Sequence, residues 1–292
     1  MALALSGLTV LDCSALLPGP LLGKLLRQQG ARVIKIESPD RPDPARAMGS
    51  IYTDLNAGKE ELARNLKDPS DRARFHVLVR SAHGLIEGFR PAAKEKLGLT
   101  ATALHAINPK ICVASLVGYA EEGPLKDRAG HDINFQAQTG CASLFTGMPG
   151  LPLADLFSAY EGALRLAVAM RGVESGQFRQ GPREVIVMSE VLERVQSSVR
   201  AEYQDTGIVP GPGQTLFAGK YPCYRIYHSA EGHKIAVGAI EPKFWEKICA
   251  IAQRPDLEDL AYADGESGAW TAEELQKTLA GKPWSHLEPL FE

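Results

Sequence analysis

The chain has 292 residues, of which 45% are hydrophobic and 23% charged, and its formal net charge is −3. That size and balance allow one large domain or two smaller ones with a substantial core, which excludes a wholly disordered chain. The near-neutral charge gives no electrostatic ground for nucleic acid as a partner, so an anionic ligand has to be met by local basic residues.

In chain order, Thr9-Val10-Leu11 reads as a strand, and Leu21, Leu22, Leu25 and Leu26 recur at helical spacing after Pro18-Gly19-Pro20. Arg32 to Glu37 is a second strand, completing a βαβ unit. Further strands are expected at Gly84–Glu87 and Ile111–Ser115, separated by helical stretches, which favours a mostly parallel sheet covered on both faces. Tyr160 to Met170 carries a helical pattern opening a few residues after Asp155, and Val185 to Met188 reads as one more strand. Gly207 to Gly219 is rich in Gly and Pro and reads as a linker. Beyond it, Tyr221–Tyr227 and Lys234–Gly238 form an expected hairpin turning at Ala230-Glu231-Gly232. Helical sequence resumes at Pro242 and again at Thr271-Ala272-Glu273-Glu274, which has a capping-box pattern.

Several chemistries are absent from the sequence. The turn Ser14-Ala15-Leu16-Leu17-Pro18-Gly19 offers no GxGxxG, which weakens a dinucleotide-binding reading even though the second strand ends in Glu37. Neither a Walker loop nor a GxSxG nucleophile elbow appears. The five cysteines (Cys13, Cys112, Cys141, Cys223, Cys249) have no CxxC or histidine spacing for zinc and read as buried reduced thiols, so no metal site is expected. The opening Met1-Ala2-Leu3-Ala4-Leu5-Ser6-Gly7-Leu8 lacks the pattern of a signal peptide, and no run approaches ~18 apolar residues. A soluble, cytoplasmic protein without a membrane partner is the expectation.

Three acid–base residues stand at element boundaries. His131 lies between Gly130 and Asp132, just before an expected helix near Ile133, where the positive end of the helix dipole favours a neutral imidazole that can act as a base. Asp155 precedes the Tyr160 helix, and Glu241 stands before Pro242 at a strand-to-helix turn. Each taken singly is also accounted for by capping, packing or solvation.

The order of the segments is more informative than any one of them. Leu5-Ser6-Gly7-Leu8-Thr9-Val10-Leu11-Asp12, Pro18-Gly19-Pro20 and Gly30 to Glu37 are followed by Leu55-Asn56-Ala57-Gly58-Lys59, Leu66-Lys67, Leu85 to Pro91, Glu95 to Leu99, Gly118-Tyr119 and Gly123-Pro124. This series resembles the family III CoA-transferases, also called the carnitine-dehydratase and bile-acid-inducible group. Gly130-His131-Asp132-Ile133-Asn134 resembles the family's α-methylacyl-CoA racemase branch, because the transferases generally place another residue before the aspartate.

The resemblance implies a Rossmann-like open parallel sheet with a second, smaller α+β domain, and an interlocked homodimer. The expected domains are 1–206, binding CoA, and 207–292, with hairpin and helices and without the family's C-terminal return segment. It also implies an acyl-CoA substrate, a place in fatty acid metabolism and no separate cofactor, since CoA is part of the substrate. The resemblance then makes His131 and Asp155 the acid–base pair for 1,1-proton transfer through an enolate, with Glu241 orienting His131 across the dimer interface. Arg90 is the leading candidate for CoA phosphate or adenine contact, and Lys59, Arg41 and Lys96 are lesser ones. The alternatives are a CoA-transferase with Asp155 as nucleophile and a non-catalytic acyl-CoA-binding homologue. Against the family pattern, Leu156 to Tyr160 is bulkier than the usual glycine-rich turn, Ala57 replaces a frequent arginine, and Asn65 a frequent aspartate.

Overall fold

The computed structural model describes residues 3–291; Met1 and Ala2 of the opening segment, and Glu292, lie outside the described residues. Contacts divide the chain into two compact units, one running to Thr139 and adding Gly150–Val195, the other comprising Gly140–Pro149 and the chain from Gln196 onward. In place of a single break after residue 206, the chain thus crosses between units three times. No helix is long and apolar enough to cross a membrane among the described residues.

The first unit is a six-stranded, wholly parallel sheet. Its strands are β1 (Thr9–Asp12), β2 (Arg32–Glu37), β3 (Glu60–Ala63), β4 (Gly84–Glu87), β5 (Cys112–Val117) and β6 (Arg183–Val187), in the order β3-β2-β1-β4-β5-β6. The connections carry α1 (Pro18–Gln28), α2 (Ser50–Asn56), α3 (Pro69–Ser81), α4 (Pro91–Leu97), α5 (Ala101–Ile107), α6 (Asp132–Gln138) and α7 (Leu153–Glu174), and α8 (Met188–Val195) closes the unit.

Side-chain alternation along the strands builds two cores. Val10, Val33, Ile86 and Ala114 point to one face and pack with Leu22 and Leu26 of α1 and Leu166 and Met170 of α7. Their chain neighbours Leu11, Ile34, Leu85 and Val113 point to the other face and meet Phe75 and Val79 of α3. Each fully buried aliphatic side chain of this kind contributes about 1.5–3 kcal/mol, and burial on both faces explains the continuous apolar strands. On α7 the buried face is mostly small (Ala159, Gly162, Ala163, Ala169), whereas Phe157, Tyr160, Leu164 and Val168 face solvent.

The second unit holds α9 (Ser197–Thr206), the antiparallel hairpin β7 (Tyr224–His228) and β8 (Lys234–Gly238), then α10 (Pro242–Ala252), α11 (Gly265–Ala280) and α12 (Trp284–Phe291). Its core joins Tyr227, Ile235 and Val237 to Trp245, Leu275 and Leu279, with the Trp245 indole N–H donating to the Leu257 carbonyl at 2.9 Å.

One polar cluster sits inside the first unit, beneath the turn after β1. Lys59 Nζ lies 2.8 Å from Asp12 Oδ2, and both side chains are fully buried. The same ammonium donates to the Pro20 carbonyl and Asn56 Oδ1. Beside it, buried Lys35 donates to the Ser14 carbonyl and pairs with Asp43 at 3.0 Å, while Asp43 Oδ1 accepts from the Leu16 N–H at 2.9 Å. Burial drives the Asp12 carboxyl upward, but the Lys59 and Lys35 ammoniums and the Lys59 and Ser14 hydrogen bonds overrule it and hold the group below its ordinary range. Leu16 adopts φ 66°, a left-handed conformation costing a leucine about 1–3 kcal/mol, and it is retained because Asp43 and Lys35 fix the turn on both sides. Removing one partner from a buried ion pair leaves the other charge uncompensated. Lys59→Met is therefore expected to lower the unfolding free energy by about 3–5 kcal/mol, read from the midpoint of urea denaturation. A midpoint equal to wild type would show that the pair is not what holds the turn.

Candidate active site

In an open parallel sheet, ligands bind beyond the carboxyl ends of the strands where the strand order reverses, because the connections there diverge to opposite faces and leave a crevice. Here that point lies between β1 and β4. The segments leaving these strands, Cys13-Ser14-Ala15 and Phe89-Arg90, line two adjoining cavities at once. The smaller, of about 430 Å³, is also lined by Glu121, Arg128, His131 and Asp155. The larger, of about 550 Å³, is lined by Arg41, Arg64, Lys67 and Lys96.

The structure brings His131 and Asp155 to the smaller cavity through the packing of α6 against α7. His131 is the N-cap of α6, exposed, with its backbone N–H donating to Asn134 Oδ1 at 2.9 Å. The next residue, Asp132, accepts from the Asp155 N–H through Oδ1 at 3.1 Å and from Gln136 Nε2 through Oδ2. Gln136 is itself buried and also donates to the Leu151 carbonyl, so the two helix starts are pinned together. Asp155 stands in the first turn of α7, which begins at Leu153; the expectation that the helix opens after Asp155 is corrected. The bulky run from Leu156 to Tyr160 is accordingly helix, not turn.

Burial first and the neighbouring Asp132 carboxylate second push the Asp155 carboxyl up from its ordinary value of 3.8 to about 7. A carboxyl in that state holds its proton through mild acidity and exchanges it near neutrality, which is what a general acid–base group requires.

The four basic residues picked from sequence separate into two kinds. Arg41 and Lys96 line the larger cavity and Arg90 lines both, and none of the three side chains has a hydrogen bond or ion pair among the described residues. These are cations available to a ligand. Lys59 is not: its ammonium is buried against three oxygen acceptors, and its selection as a ligand contact is corrected to a structural role. Arg64 and Lys67 were not singled out by sequence reasoning, yet both line the larger cavity, and buried Arg64 Nε has no partner among the described residues. The acids around that cavity are engaged: Glu37 by Arg46 and Tyr52, Asp43 by Lys35, and Asp40 by Asn65. The departure at Asn65 thus has a local bond, to the Asp40 carboxylate at 2.7 Å.

Glu241 lies in the second unit as the N-cap of α10, separated from the end of β8 by Ala239 and Ile240, and its exposed carboxylate makes no capping bond. All five cysteines are buried and free.

The model of the family described as CoA-transferase family III matches residues 5–292. Human alpha-methylacyl-CoA racemase is 34% identical over 252 residues, covering 84% of this chain and 64% of that protein. Succinate–glutarate CoA-transferase of Agrobacterium fabrum is 29% identical over 272 residues, covering 85% and 66%. The chain therefore spans about two-thirds of the length of these relatives. Among solved structures, the hypothetical protein Rv3272 of Mycobacterium tuberculosis matches with a TM-score of 0.81 at 27% identity, covering 99% of this chain and 81% of that one.

The raised Asp155 carboxyl has a consequence for stability. A group whose folded pKa exceeds its unfolded value adds stability below the unfolded value and loses it as pH rises through the folded one, here between about 4 and about 7. Asp155→Asn carries no such ionisation. The melting temperature of the variant relative to wild type should therefore climb across that window, by on the order of 5 °C, as followed by calorimetry at stepped pH. Parallel curves would show that Asp155 ionises normally.

Proposed function

The chain belongs to CoA-transferase family III, and from that premise we propose that it inverts the C2 centre of 2-methylacyl-CoA thioesters by 1,1-proton transfer. The observation that carries the reading is the pairing, on one cavity, of His131 with an Asp155 carboxyl poised near neutrality. The proton beside a thioester carbonyl is weakly acidic, so inversion needs a base on one face of C2 and an acid on the other. In one direction His131 takes the C2 proton, the C–H electron pair moves to the thioester oxygen as an enolate, and the Asp155 carboxyl returns a proton to the opposite face. In the other direction the roles exchange. In this reading N–H groups at the start of α6 stabilise the enolate charge. The step needs neither metal nor redox cofactor, since CoA arrives with the substrate.

The adjoining larger cavity, with unpaired Arg41, Arg90 and Lys96, suits the phosphates of the CoA moiety. Orientation of His131 by Glu241 and an interlocked homodimer belong to the same proposal. The exposed apolar stripe Phe157, Tyr160, Leu164 and Val168 on α7 supports a covered face. The transferase alternative requires Asp155 as an ionised nucleophile, and burial beside Asp132 works against that state.

Incubation of a 2-methylacyl-CoA in deuterated water is expected to place deuterium at C2, and His131→Ala and Asp155→Ala should each slow racemisation by about 10²–10⁴-fold. Absence of C2 exchange in the wild-type protein would overturn the racemase reading. Transfer of CoA to a second carboxylic acid would favour the transferase, and binding with neither reaction a non-catalytic homologue. Arg90→Ala should raise KM about tenfold or more with little change in kcat, marking a contact made equally to ground and transition states.

A further inference from the structure

The wall of the smaller cavity that leads to His131 is the loop from Gly118 to Gly130, which contributes Tyr119, Glu121, Lys126, Arg128 and Ala129 to the lining. Both ends of this loop close on one ring. A Cβ on Gly118 would come within 2.7 Å of Phe135 and one on Gly130 within 2.8 Å, so glycine at each end lets the backbone lie against the ring. Tyr119 stacks edge-on with Phe135 at 5.2 Å between ring centroids. Between these ends, among the described residues, the backbone makes only local turns, Lys126 N–H to the Gly123 carbonyl and Arg128 N–H to the Leu125 carbonyl.

Among the described residues from 120 to 129, only Glu121 has a side chain bonded outside the loop. Its carboxylate receives both terminal nitrogens of Arg183 on β6, at 2.7 and 2.5 Å, and Lys94 Nζ of α4 at 3.1 Å. Arg183 is held in turn by its Nε–H to Ser115 Oγ on β5 at 3.0 Å. Nearly buried Lys94 also lies 3.1 Å from the buried Glu87 carboxylate, whose other oxygen accepts the Phe89 N–H at 2.9 Å. Arg183, Glu121, Lys94 and Glu87 form a chain of alternating charges that runs from the last strand of the sheet to the Phe89-Arg90 turn. One end fixes the loop that delivers His131, and the other fixes the turn shared by both cavities. The two-pronged Arg183 contact adds direction to the charge attraction, since a guanidinium fork fits a carboxylate in one plane. The hydrogen bonds from Arg183 and Lys94 hold the Glu121 carboxyl down to about 2 against the effect of its burial, so it stays ionised through the working pH range.

We propose that Glu121, clamped by Arg183 and Lys94, is a positioning residue that holds the His131 wall of the cavity at a fixed spacing from the Phe89-Arg90 turn. The inference rests on the proton-transfer reading for its consequence, but its physical content, anchoring of the 118–130 loop, can be measured without turnover. Glu121 itself takes no proton from the substrate.

Two measurements on the full chain decide it. In hydrogen–deuterium exchange read by mass spectrometry, Glu121→Gln should raise amide uptake in peptides spanning 119–131 by about threefold or more while leaving α7 unchanged, because anchoring alone is weakened. Unchanged uptake in those peptides would overturn the proposal. In C2 deuterium exchange with each epimer of a 2-methylacyl-CoA, the same variant should lose about tenfold in the rate for the epimer deprotonated by His131 and less than about twofold for the other. Equal losses for both epimers would overturn a positioning role in favour of general destabilisation. Arg183→Lys keeps the charge but loses the fork, and should give smaller changes of the same kind; if Glu121→Gln fails to fold, this variant carries both measurements. A wild-type protein without C2 exchange would refute the racemase reading, whereas the deuterium uptake still decides the anchoring.

Discussion

Four buried charges beneath the first turn of the sheet fix the segment that lines both cavities. Asp12 and Lys59, with Lys35 and Asp43, are sealed among apolar helices where either sign alone would be intolerable. Their mutual satisfaction fixes Ser14, Ala15 and the left-handed Leu16 at the mouth of the crevice. Apolar residues of equal volume often match a buried ion pair in stability, but they offer no acceptor for the Leu16 N–H and no donor for the Ser14 carbonyl. The polar cluster therefore specifies a conformation more than it supplies free energy.

The same principle recurs on the opposite side of the crevice. Asp132 accepts the backbone N–H of Asp155 and so aligns two helix starts, while Arg183 and Lys94 converge on Glu121. In each case a charged side chain orders a backbone segment that lines the crevice. Membership of CoA-transferase family III accounts for the scaffold; these internal bonds account for how this chain presents His131, Asp155 and Arg90 on it.

Strands β1, β2, β4 and β5 were legible because they are buried on both faces and read as unbroken apolar runs. Edge strand β3, Glu60-Glu61-Leu62-Ala63, was missed because it is largely exposed and carries no such run. The Thr271 capping pattern lies in the interior of α11, which actually starts at Gly265 with the Asp264 side chain as its cap; Thr271 Oγ instead bonds the Ser267 carbonyl. His131, Asp155 and Arg90, which line the smaller cavity, were singled out through the ordered series of family segments and not by any one local motif. Lys59 was misassigned because its partner Asp12 stands 47 residues away, and Glu121 went unnoticed because Arg183 is 62 residues distant. Side-chain pairing across a sheet depends on strand order, which no local window contains.

The unpaired cations of the larger cavity carry a thermodynamic consequence of their own. Arg41, Arg90 and Lys96, together with Arg64 and Lys67, place like charges around one hollow, where Glu37 and Asp43 are already ion-paired with Arg46 and Lys35 and Asp40 alone keeps an uncompensated charge. These charges repel one another, a repulsion that a polyanion relieves and that dissolved salt screens in part. Binding and folding are linked through that relief: any polyanion held by the folded chain and not by the unfolded one raises resistance to unfolding.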